Sequence, residues 1–222
     1  SSKAGPVGVV ILAAGLSRRM GTGSKLLSRI AGRTVIGHVL HRVAQAEGLG
    51  PVVVVIGPQA AALEAELAAY PRVITVVNHQ THLGMSTSLR AGLEALPPEA
   101  AGAFIVLGDQ PFFPPEVFQA LLAAWRDDPA PGEEGREEVL IAAPVYNGRR
   151  GHPVLFSSRL FPELMSLEGD QGGREVLARH RDRTRLVPLD SPLAAWDVDT
   201  PDDLERLREA YDRLMRKDDS PH

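Results

Sequence analysis

Val9–Lys25 reads VVILAAGLSRRMGTGSK, and its reading decides what kind of chain this is. An apolar run from Val9 to Leu12 stops at Ala13-Ala14-Gly15, where small residues let a backbone come close to a ligand. The adjacent arginines Arg18 and Arg19 follow, then Gly21, Gly23 and Lys25. Guanidinium and ammonium groups make charge-assisted bonds to phosphate oxygens. A buried strand that delivers such a loop at its carboxyl end is where an open α/β sheet holds its ligand. The stretch reads as a nucleoside triphosphate site.

Two better-known phosphate loops do not account for it. The dinucleotide fingerprint G-x-G-x-x-G fails because Gly15, Gly21 and Gly23 are wrongly spaced. The P-loop requires Gly-Lys followed by Ser or Thr, whereas Lys25 follows Ser24 and precedes Leu26.

Outward from this loop the chain alternates strand-like and helix-like segments, the pattern of an α/β fold. Strands are expected at 7–12, 51–56, 73–77, 103–107, 139–145 and 153–156. Helices are expected at 34–46, 59–69, 84–96, 114–125, 174–180 and 200–215. The valine run of 51–56 suits a strand buried on both faces, and Val35, Val39 and Val43 share one helical face. Thr200 and Pro201 suit the cap and first position of the closing helix. The breaker-rich segment 127–138 reads as a mobile loop, and 1–6 and 216–222 as flexible ends, of a single domain spanning 1–222.

Composition narrows the function classes. The 222 residues suffice for one substantial core. A net charge of -4 argues against broad nucleic-acid binding. The absence of cysteine excludes disulfides, cysteine nucleophiles and thiolate metal sites. No apolar run approaches a membrane span, and the start lacks a secretion signal, so a cytoplasmic protein is expected.

Further constellations carry chemistry. Asp109, in LGDQP after a buried strand, is placed to hold Mg²⁺ at a phosphate. Asp197 and Asp199 alternate in an extended segment, project to one side, and can complete that metal site. Asn78, Gly84 and Ser86, with Thr87 and Ser88, gather hydroxyls and amides at a helix start that can bond a base edge or phosphate. The loop holding Arg150 and His152 reads as a clamp for an acceptor phosphate, and 169–174, with Asp170 and Arg174, as a second polar loop. His38 and His41, three apart on a helix, lack a third metal ligand and read as a solvated face.

In order from Leu12 to Leu204, LAAGLSRRMG with Lys25, GMSTSLRAGL, LGDQPF, RGHPVLF, GDQGGR and DVDTPDDL resemble the nucleotidyltransferases of molybdenum cofactor maturation. The likeness is to the cytidylyltransferase branch in particular. It implies a single Rossmann-like, three-layer α/β domain of glycosyltransferase-A type with a mostly parallel mixed sheet. It also implies Mg²⁺-dependent transfer of a nucleotide to an acceptor phosphate, with pyrophosphate leaving. Leu12, Ala13, Ala14 and Gly15 would then face the nucleotide, Arg19 and Lys25 would hold the triphosphate, and Asp109 would bind Mg²⁺ with Asp197 or Asp199. Arg150, His152, Asp170 and Arg174 would face a molybdopterin-type acceptor. Ala14 stands where guanylyl-transferring relatives usually carry glycine, which tilts the nucleotide toward CTP over GTP. A second reading is an accessory protein that holds nucleotide or molybdenum cofactor for a molybdoenzyme or its chaperone. A leaving-group clamp of Asp109, Arg19 and Lys25 favours the enzyme.

Overall fold

The computed structural model describes residues 3–15 and 25–218. Its elements follow in chain order as β1 (Val7–Ala13), β2 (Arg29–Ile30), β3 (Arg33–Thr34), α1 (Val35–Ala44), β4 (Leu49–Ile56), α2 (Ala61–Leu67), β5 (Val73–Val77), α3 (Met85–Glu94), β6 (Gly102–Leu107) and α4 (Val117–Arg126). The second half adds β7 (Ile141–Tyr146), β8 (Arg149–Arg150), β9 (Val154–Ser157), α5 (Phe161–Met165), α6 (Gly173–Arg179), β10 (Thr184–Pro188) and α7 (Pro201–Asp218).

The main sheet runs β10-β7-β9-β6-β1-β4-β5, with the short β8 paired to β7. β5, β4, β1 and β6 are mutually parallel, and β9 runs antiparallel between β6 and β7. β1 is buried along its whole length, as a central strand of such a sheet must be. Its side chains alternate between two cores. Val9 and Ile11 join α1, α4 and α7 on one face, while Val10 and Leu12 pack with α3, α5 and α6 on the other. The result is the three-layer, mostly parallel mixed sheet expected of the sequence. Connections leave β1 toward β4 on one side, while β6 lies on the other, so the carboxyl ends of β1 and β6 flank the crevice where open α/β sheets bind ligands.

Several elements depart from the sequence reading. The hairpin β2–β3, helix α5 and edge strand β10 were not expected. The first two are shorter than any periodicity can reveal, and β10 is a five-residue edge strand with no buried residue and with Leu186 exposed. His38 is not on a solvated face: it is buried, its Nε2 bonds the carbonyl of Ile30, and its ring meets Phe112 edge-on. His41 is exposed. Lys3, in the end expected to be flexible, is buried against the Trp125 ring and pairs with Asp128. Segment 127–138 carries no helix or strand, but Asp128 and Glu138 tie its ends to Lys3 and to Arg159 and Arg183. No described helix is long and apolar enough to cross a membrane.

Candidate active site

β1 ends at Ala13, and Gly15 takes φ +78°, a left-handed turn that a side chain resists. The N–H of Gly108 donates to the Leu12 carbonyl over 2.9 Å, so the ends of β1 and β6 are sewn together and Asp109 emerges beside Ala13. A cleft of about 200 Å³ opens here, lined by Ala14, Gly15, Thr81, Gly84, Ser88 and Asp109 among others. Arg19 and Arg18 lie outside the described residues, so the expected triphosphate contacts of that loop do too.

The segment before α7 completes the acidic wall. Val198 is fully buried and its N–H donates to the Asp109 carbonyl over 2.9 Å, which turns Asp197 and Asp199 away from the core, toward Gln110 and Lys25. Asp203 holds this segment in place: its carboxylate accepts from the N–H groups of Asp199 and Thr200, while its own N–H donates to the Thr200 hydroxyl. That reciprocal cap fits the expected helix start.

Lys25 sits inside this wall. Its ammonium is 2.8 Å from Asp199 Oδ1 and 3.3 Å from Asp109 Oδ2, and the residue is 1% exposed. Asp197 Oδ1 instead accepts from Gln110 Nε2 at 2.7 Å. Burial pushes the Asp109 carboxyl up to about 6; Lys25 pulls it back, while Asp197 and Asp199 push it further. Desolvation also raises Asp197, against the hydrogen bond from Gln110. Among the described residues no three acidic or histidine side chains converge as a preformed metal cage. The Lys25 ammonium stands between the two carboxylates that would begin one.

The hydroxyl cluster is arranged differently from expectation. Asn78 is consumed internally: Nδ2 donates to Thr87 Oγ1 and Ser88 Oγ at 2.9 Å each, and Oδ1 accepts from the Gln80 N–H. It braces the cleft wall from behind Ser88 and is not among the residues that line the cleft. Ser86 turns its hydroxyl to the Gly169 carbonyl at 2.7 Å. The hydroxyl residue of this cluster that lines the cleft is Ser88, two positions further on, together with Gly84. Spacing along a helix identifies neighbours; only the packing of α3 on β1 and β4 decides which of them faces the cleft.

A second cleft of about 210 Å³ shares Leu12, Met85 and Leu107 with the first. Arg150, His152 and Arg174 line it over an apolar floor that includes Phe156. Burial, with Arg150 adding, lowers His152 to about 4, so the imidazole is neutral near pH 7. Asp170 is not in this group. It lines the first cleft, and its carboxylate accepts from the Met85 N–H at the start of α3.

Comparisons with known proteins identify relatives of this chain. The MobA-like NTP transferase domain matches residues 9–184. Nicotine blue oxidoreductase of Paenarthrobacter nicotinovorans is 31% identical over 206 residues, covering 89% of this chain and 94% of that protein. The crystal structure of Rv0371c from Mycobacterium tuberculosis H37Rv superposes with a TM-score of 0.76 at 31% identity, over 92% of this chain and 98% of that one. Rv0371c has also been crystallised in complex with manganese. A nucleotidyl transferase from Methanothermobacter thermautotroptrophicus shares the fold, with a TM-score of 0.76 at 21% identity over 94% of this chain and 99% of that one. The chain belongs to the MobA-like NTP transferase domain family, and it is a nucleotidyltransferase.

Proposed function

We propose that this protein transfers a nucleotide, CMP from CTP, to the phosphate of a molybdopterin-type acceptor, with Mg²⁺ as cofactor. The observation that carries the reading is the Lys25 ammonium held between Asp109 and Asp199 at the cleft on the ends of β1 and β6. A cation is already stabilised at that point by hard oxygen donors, the donor type Mg²⁺ prefers. The desolvated Asp109 carboxyl gains from a counter-charge. Asp109 and Asp199 therefore fit a divalent ion, with Asp197 beside them on Gln110. The manganese complex of Rv0371c supports a divalent metal in this family. Bound there, the metal would neutralise charge on the phosphate oxygens.

The chain's own residues would do the rest. Ala14 and Gly15 bring backbone against the nucleotide, and Lys25, with Arg19, would draw charge from the leaving pyrophosphate. An acceptor phosphate oxygen attacks the α-phosphorus, and the bond from that phosphorus to the bridging oxygen breaks. Pyrophosphate leaves with the electron pair. Ser88 Oγ accepts from Asn78, which leaves its O–H to donate into the cleft. A donor there can meet an acceptor on the base, such as the carbonyl of cytosine. Arg150 and Arg174 at the second cleft suit the charge of an acceptor phosphate, and its apolar floor suits a flat ring. Met85 and Leu107, common to both clefts, put the two substrates on either side of one wall.

The test is release of pyrophosphate from CTP, GTP, ATP or UTP, with and without Mg²⁺, in the presence of molybdopterin. Metal-dependent release from CTP that requires the acceptor is expected. Binding of nucleotide or acceptor without release would instead establish the accessory reading. Reduction of a dye by NAD(P)H with no pyrophosphate release would favour the chemistry in the name of the P. nicotinovorans relative.

A further inference from the structure

The two carboxylates around Lys25 come from distant parts of the chain: Asp109 follows β6, and Asp199 precedes α7. Asp199 lies beyond residues 9–184, the span matched by the transferase domain, so the C-terminal segment supplies the second arm of the clamp. Its backbone is fixed by Asp203, and the Lys25 side chain is almost wholly shielded from water. Lys25 and Asp109 are buried while the Asp199 side chain is 44% exposed, so the triad is closed to water at the ammonium and open at Asp199.

Such a triad resists partial dismantling. Withdrawing the ammonium alone would leave Asp109 and Asp199 facing each other with no counter-charge. Adding a divalent ion beside the ammonium would set two cations against each other over the same oxygens. With two of its three N–H donors committed to the carboxylates, Nζ keeps one at most for a triphosphate. The exchange is favourable when both events occur together: metal replaces the ammonium at the carboxylates, and phosphate oxygens replace the carboxylates at the ammonium.

We propose that Lys25 is a placeholder cation that occupies the metal position of the ligand-free protein and yields it only to a metal arriving with a triphosphate. This rests on the metal-dependent transfer reading above and adds an order of binding to it. Bare metal binds weakly, nucleotide carries the metal in, and the released ammonium becomes the clamp on the departing phosphates.

Mn²⁺ binding, followed by the loss of the free-ion paramagnetic resonance signal, tests this without turnover. Wild type and Lys25→Met are titrated alone and with the non-hydrolysable α,β-methylene analogue of CTP. In wild type the analogue should tighten Mn²⁺ binding beyond what the analogue alone takes up without protein. In Lys25→Met, Mn²⁺ alone should bind at least about tenfold tighter than in wild type, because no ammonium competes for the site. The gain from the analogue should shrink accordingly. Should the variant not melt cooperatively, Lys25→Gln, which keeps a neutral donor, carries the same expectation. Unchanged or weaker Mn²⁺ affinity in the folded variant, with wild type still responding to the analogue, overturns the placeholder and leaves the transfer reading standing. No Mn²⁺ binding by wild type or variant, even with the analogue, overturns both.

Discussion

The N–H of Val198 donates to the carbonyl oxygen of Asp109 over 2.9 Å, and this bond joins the family's central sheet to the C-terminal segment. It brings Asp199 onto the same ammonium as Asp109 and sets Asp197 on the neighbouring Gln110. Three carboxylates crowd one rim as a result, and the fold tolerates them through Lys25, Gln110 and the raised proton affinity of Asp109.

Asp109→Asn separates the site's demands from those of the fold. We expect kcat/KM for nucleotide transfer to fall roughly 10²–10³-fold, the range seen when one charge-stabilising group is lost. Stability should move the other way. The folded carboxyl sits at about 6 against 3.8 for the unfolded chain, so between these values the fold holds more protons than the unfolded state. Its contribution is present below pH 4 and lost as pH rises through 6. The variant should melt above wild type at pH 8, by on the order of 3 kcal/mol or less, with the gap closing toward pH 4. Calorimetric scans across that range check the sign, and a constant gap would remove the assigned cause.

Ser88→Ala addresses base recognition. The change deletes a donor at the cleft and leaves Asn78 with Thr87 as its remaining hydroxyl partner. Loss of one such bond weakens nucleotide binding by about 1 kcal/mol, or roughly fivefold to tenfold in KM for CTP. KM for the acceptor should hold. An unchanged KM for CTP would show that the hydroxyl does not touch the nucleotide.

Much of this architecture was legible in the sequence, for reasons that differ between elements. β1, β4 and β6 are continuous apolar runs because both of their faces are covered, and no competing periodicity obscures them. Asp109 could be read because it follows such a strand directly. Asn78 and Asp170 could not be resolved in the same way. Their residue types suit ligand contact and internal bracing equally, and their partners, Thr87 with Ser88 and the Met85 N–H, are fixed only by tertiary packing. Lys25 read as a phosphate ligand, but its pairing with Asp199, 174 residues away, has no local signal.

Gly84→Ala tests the joint between the two clefts. Gly84 has φ +110°, and a Cβ there would lie 2.2 Å from the Gly169 carbonyl oxygen, a backbone atom that cannot yield alone. The same carbonyl accepts from both the N–H and the hydroxyl of Ser86. We expect a loss of at least about 2 kcal/mol in denaturant unfolding, from backbone strain together with the clash. Displacement of the 169–172 loop should also raise KM for nucleotide and acceptor together. A rise in only one would mean that the two clefts move independently.

His152→Gln tests the neutral imidazole of the second cleft. Burial, then Arg150, hold this group down to about 4, while the unfolded chain titrates near 6.5. Below 6.5 the unfolded state therefore takes up a proton that the fold refuses, and stability drains as pH falls toward 4. Glutamine removes that proton without removing a polar side chain. The wild-type unfolding free energy should fall faster than the variant's between pH 6.5 and 4, with the two curves parallel above pH 7. The carboxylates titrate in both proteins and cancel in the difference, so the diverging segment belongs to His152. A bound acceptor supplying an anion to Arg150 should lift the wild-type imidazole back toward 6.5 and shrink the divergence, an effect measurable by repeating the series with molybdopterin.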